Sequence, residues 1–204
     1  MVDTTVTSSS GSLVQRMIRA ARLEPALYEE VEADRTATRE AAIAVTIVAL
    51  AGGIGGAIGA VLTRPEVGVT GALAALIFGV VSALVGWLIW SYVTYFVGTR
   101  LFGGRATPGE MLRTIGFAQS PGVLNILAFI PVVGAVVGLI TFIWSLVAGV
   151  IAIRQALDFE TGKAVMTAVI GAIVVFLFSL LLGLVLAALG LGVIGGLDAI
   201  SGGA

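Results

Sequence analysis

The chain of 204 residues contains neither cysteine nor histidine. The first absence excludes disulfides and thiolate metal sites. The second removes the commonest ligand of haem and zinc, and the side chain that usually titrates near neutral pH. Charge is scarce as well, at 11% of residues against 58% hydrophobic. Eleven Lys and Arg nearly balance twelve Asp and Glu, which leaves no basic surplus for nucleic acid. No Asp/Glu cluster offers a cage for a hard cation. A serine nucleophile would have only Lys163 or carboxylates as its base, all in loops or at the edges of apolar segments. The glycine-rich GGIGGAIG sits inside an apolar segment, with no strand before it and no Lys after it, so it is not a phosphate loop. The N-terminus has no basic region leading directly into an apolar core, and does not read as a cleaved signal peptide. The expectation is a non-enzyme without cofactor or metal.

What the chain does have is long apolar runs, which place it in the polytopic membrane class. The predicted fold is all-α: a membrane helix bundle of five transmembrane helices with an N-terminal amphipathic interfacial helix. The spans are expected at about 41–62, 72–97, 108–129, 132–156 and 164–189, within a membrane domain of 41–197. An arm of 1–40 precedes it and a tail of 198–204 follows. The forty residues from Thr114 to Ile153 carry no charge. At ~20 residues per crossing, that is a helical hairpin, with Pro131 at its tip. Thr107, Pro108 and Glu110 spell a capped helix start for its first arm. Pro121 falls near the middle of that arm and predicts a kink. Around it, Gly116, Phe117, Gln119, Ser120 and Asn125 complete a polar break. Amides at that depth must face other helices or water.

Three GxxxG pairs, Gly52/Gly56, Gly55/Gly59 and Gly134/Gly138, let backbones approach closely, either within the chain or between copies. In the arm, Leu13, Val14, Met17, Ile18 and Ala21 share one helical face, and Gln15, Arg16, Arg19 and Arg22 the other. Such a helix over 13–23 suits the headgroup layer, with Arg16, Arg19 and Arg22 at lipid phosphates; packing on the protein's own helices is the other reading. Glu24 to Glu40 reads as a solvated linker or short surface helix. Trp87, Trp90, Tyr92 and Tyr95 cluster as aromatic rings do near an interface. Of eleven Lys and Arg, only Arg64 falls on the side away from the arm. That bias predicts a cytoplasmic N-terminus and an external C-terminus.

With the spans in place, the chain resembles the Yip-domain family of Ypt/Rab-interacting membrane proteins, in the form bacteria and archaea carry. The resemblance rests on RLFGGRATPGEMLRTIGFAQSP leading into the third span, on the Gly116-Phe117…Pro121 signature, and on IRQALDFETGKA before the fifth. For eukaryotic members the family implies trafficking adaptors that engage prenylated Rab-type GTPases. The arm here has no acidic DLYGP-like motif. For this chain the resemblance implies a bacterial inner-membrane scaffold or accessory subunit whose partners are membrane lipids, other membrane proteins or a second copy. A small transporter or channel running past the polar break is the alternative.

Overall fold

The computed structural model describes residues 11–188; residues 1–10 and the predicted tail 198–204 lie outside the described residues. Among the described residues seven α-helices follow one another: α1 Leu13–Ala21, α2 Pro25–Ala33, α3 Ala37–Thr63, α4 Gly68–Phe102, α5 Pro108–Ala118, α6 Val133–Ala156 and α7 Thr161–Ala188. Two 3-10 segments, Pro65–Val67 and Ser120–Phe129, interrupt them.

Local signals explain most boundaries. Ser12 and Gln15 cap α1 reciprocally, and Thr107 and Glu110 do the same for α5, where Thr107 N–H donates to Glu110 Oε2 at 2.7 Å. α4 stops at Gly103, which takes the left-handed conformation (φ 70°) that a residue with a Cβ avoids. Of the two readings of Glu24 to Glu40, a solvated linker or a short surface helix, α2 bears out the helix but not the solvation. Leu27, Tyr28 and Val31 are fully buried, so this segment belongs to the core rather than to solvent.

Among the described residues, four helices are long and apolar enough to cross a membrane: Ala37–Thr63, Pro65–Phe102, Val133–Ala156 and Thr161–Val185. The expected third span is not one kinked helix. It divides into the short α5 and the 3-10 segment Ser120–Phe129. α3 and α4 lie antiparallel, with Gly53 against Leu76 and Ile58 beside Leu73. α6 returns along the 3-10 segment, with Gly134 on Ala128 and Thr141 on Asn125. α7 packs on α4 through Gly171, against Thr94 and Trp90.

The densest packing lies where the arm meets α3, α5 and α6. Phe117, Met111, Ile153, Tyr28, Leu27 and Val45 are all fully enclosed there. Away from that junction, α4 and α7 present Ile77, Phe78, Phe176 and Leu184 outward. So large an apolar exterior is untenable in water. Hydrocarbon tolerates it, provided that backbone groups are paired internally, as they are in a helix.

Candidate functional site

The break in the hairpin follows from one missing hydrogen. Pro121 has no N–H, and its ring crowds the carbonyl four residues earlier, that of Phe117. α5 therefore ends at Ala118, and the chain tightens to a three-residue repeat, with Gly122 N–H donating to Gln119 O at 2.9 Å. The stranded Phe117 carbonyl accepts instead from Ser120 Oγ at 2.6 Å. Ser120→Ala should cost about 1–3 kcal/mol, because it leaves that buried carbonyl unpaired. In a Pro121→Ala background, where an amide N–H is restored, most of the cost should vanish. A double-mutant cycle by thermal unfolding in detergent checks both, and equal costs in the two backgrounds would refute the assignment.

In a 3-10 helix, residues three apart eclipse. Gly122, Asn125 and Ala128 accordingly form one edge, wedged between α3 and α6. Asn125 Oδ1 accepts from Thr141 Oγ1 at 2.8 Å. A Cβ placed on Gly55 would sit 2.6 Å from Ile126 O and 2.7 Å from Asn125 O. Neighbours at successive heights are Ala41 with Gly116, Val48 with Gly122, Gly55 with Ile126, and Gly59 with Phe129. Residues 41 to 59 of α3 climb roughly 27 Å at ~1.5 Å per residue. Residues 116 to 129 climb about 25 Å, because most of them rise ~2.0 Å each. Thirteen steps thus keep pace with eighteen, in the same direction.

Gly116 explains the rest of the signature. Its missing Cβ would meet Ala41 Cβ at 2.7 Å and Trp87 Nε1 at 3.2 Å, so three helices converge there. Through that gap the Trp87 indole N–H donates to Leu112 O at 3.0 Å. Trp87 is thus a buried strut rather than an interface ring. Phe117 is fully buried beside it. Gln119 turns another way, into a crevice of about 270 Å³ lined by Trp87, Trp90 and Ser145. The polar break is therefore not one chamber: Gln119 faces α4, Ser120 folds back on α5, and Asn125 faces α6.

The GxxxG pairs separate in the same manner. Gly52, Gly55, Gly59 and Gly134 receive the 3-10 segment, while Gly56 and Gly138 have no atom within 4 Å of a built Cβ. Among the described residues, nothing packs against the open side of those two.

At the arm, Arg16 is 2% exposed and paired with three carboxylates: Glu30 at 3.1 Å, Asp34 at 3.0 Å and Glu40 at 2.9 Å. Arg19 joins Glu24 and Glu30. The headgroup role expected of Arg16 does not hold, since its guanidinium is enclosed by acids, and Arg19 is likewise committed to acids. Arg22 remains exposed. The acidic run that read as a solvated linker or short surface helix is what captures the two arginines. Its spacing to the basic stripe was visible in the sequence; the chain reversal at Leu23 (φ 60°) that brings them together was not. Arg113, on α5, locks the other side of the arm by donating to the carbonyls of Val31 and Glu32.

Beside that lock, burial pushes the Glu32 carboxyl up to about 7, aided by Glu110, Asp158 and Glu29 and opposed by Arg113. An acid whose folded value is raised favours folding while protonated, and that stability is lost as pH climbs from the unfolded value through the folded one. The arm should therefore loosen as pH rises from the ordinary carboxyl value of 4.5 through about 7. Glu32→Gln should flatten that dependence, read from thermal midpoints across the range.

Among known families, the model described as the Yip1 domain matches residues 25–183. No curated protein and no solved structure matches the chain.

Proposed function

Because the chain belongs to the Yip1-domain family, we propose that it is a non-catalytic integral membrane scaffold, an adaptor or accessory subunit that gathers partner proteins and lipids around a rigid arm. One observation carries this reading. The arm is folded and bolted to the bundle by two buried arginines, Arg16 from within it and Arg113 from α5. A charged platform held at fixed geometry on a membrane bundle suits recognition, because little ordering entropy remains to be lost on binding. Gly56, with open space on the outward side of α3, is a second point at which another helix could approach closely.

In this reading the chain crosses the bilayer five times, in a bacterial inner membrane, with the arm cytoplasmic. The equal climb of residues 116–129 and α3 supports a third crossing. The gathering of ten of eleven Lys and Arg on the arm side supports the orientation. The lack of native cysteine makes the test direct. Thr4→Cys and Gly203→Cys, labelled with an impermeant maleimide on intact cells, should report only the second. Labelling of both ends, or of neither until lysis, would overturn the topology. For the scaffold role, full-length protein from native membranes in mild detergent should carry associated proteins or lipids by native mass measurement. A bare monomer would overturn it.

A further inference from the structure

α1 leaves half of its apolar face unused. Met17 enters the core, but Val14 is 61% and Ile18 46% exposed, although the helix is clamped to its own protein. Beneath them runs a groove of about 420 Å³, whose opposite wall is Ile47, Pro121, Leu124 and Trp144. Its lining is almost wholly carbon. The Trp144 indole N–H donates to Ala21 O at 2.7 Å, pinning the end of α1 to α6, and the gap stays open above Pro121 and Leu124.

One charge stands at its edge, because Arg22 directly follows Ala21, which lines the groove. Arg16 and Arg19 are neutralised by acids, whereas Arg22, the third member of that stripe, is exposed and takes no part in the ion pairs of the described residues. A narrow hydrocarbon slot beside one free guanidinium matches a molecule with an apolar tail and an anionic head.

We propose that this groove holds one acyl chain of an anionic phospholipid from the surrounding leaflet, with its phosphate paired to Arg22. α1 then acts as a lid, polar side clamped to the acids and apolar side closing on the chain. The proposal deepens the scaffold reading and rests on it in one respect, the placing of α1 at the membrane surface.

Trp144 supplies the probe. Full-length protein is reconstituted in phosphatidylcholine vesicles containing phosphatidylglycerol, with bromine on the acyl chains of one lipid or the other. The emission lost on Trp144→Phe is the signal. Brominated phosphatidylglycerol should quench it more strongly at equal bromine content, with a preference of about fivefold, the worth of one basic side chain at a membrane surface. Arg22→Gln should remove the preference while quenching persists. Ala21→Phe, which fills the slot, should remove the quenching; Ile18→Phe serves if that variant fails to fold. Equal quenching by both lipids, unaffected by either filled variant, means bulk lipid only and overturns the proposal. So does a Trp144 shielded from both lipids in a dimer, which would assign the groove to a second copy. Loss of lipid selectivity with partner proteins still co-purifying would sink the groove alone and spare the scaffold.

Discussion

Gly55→Val should be the most damaging single substitution in the membrane core, costing about 3 kcal/mol or more, at or beyond the upper end of ordinary overpacking. Its new Cβ would lie 2.6 and 2.7 Å from the carbonyl oxygens of Ile126 and Asn125, and 2.9 Å from the carbonyl carbon of Ile126. These are backbone atoms of a 3-10 segment wedged between α3 and α6, so no rotamer change relieves the clash. α3 would have to tilt away, opening the face that carries the hairpin's first arm. A Cβ on Gly56, one residue further on, meets nothing within 4 Å, so Gly56→Val has open space to enter. It should change stability by no more than about 0.5 kcal/mol. Thermal or denaturant unfolding of the two variants side by side checks the contrast. Similar behaviour would mean that the 3-10 segment does not lie where its carbonyls meet Gly55.

Arg16→Ala should release the arm. The guanidinium is 3% exposed, whereas its partners Glu30, Asp34 and Glu40 are 31%, 27% and 34% exposed. Removing the cation leaves three mutually repelling carboxylates that water reaches only in part. The cost should be about 3 kcal/mol, the lower end for breaking a buried pair, because those acids are partly solvated. Arg16→Lys should recover only part of it, since one ammonium cannot offer a planar fork to three carboxylates. Hydrogen exchange across residues 13–33 and protease cleavage near Leu23 are the readouts. Unchanged protection in Arg16→Ala would show that the arm is held without the clamp. Acid should mimic the mutation. The Asp34 carboxyl is held below its usual value, first by the Thr36 hydroxyl and then by Arg16. Its contribution is therefore complete above the ordinary carboxylate range and lost as pH falls beneath it.

Much of this architecture was legible from hydropathy and punctuation. Charge-free runs marked the four long apolar helices, Thr107 and Glu110 marked the start of α5, and Pro131 marked the hairpin tip. The break around Pro121 was legible as a disturbance, but its form was not. A proline interior to a helix permits a kink, a stop or a tightened repeat, and the choice depends on what the freed carbonyl finds. Here it finds Ser120, and α3 offers glycines at the spacing that the tightened carbonyls need. The arm was misread for a related reason. A basic stripe and an acidic run each look solvated when read one after the other, and only the reversal between α1 and α2 faces them together.

The sequence by itself determined that the chain is a helical membrane protein, because apolar composition and helical periodicity are properties of neighbours along the chain. It also determined the family, through the order of its short motifs. Only the tertiary structure decided that Arg16 belongs to acids rather than lipid, that Gly55 and Gly59 pack while Gly56 and Gly138 do not, and that thirteen residue steps climb nearly as far as eighteen. Those outcomes depend on which groups meet across space, and a buried charge or carbonyl takes whatever partner the fold brings within reach.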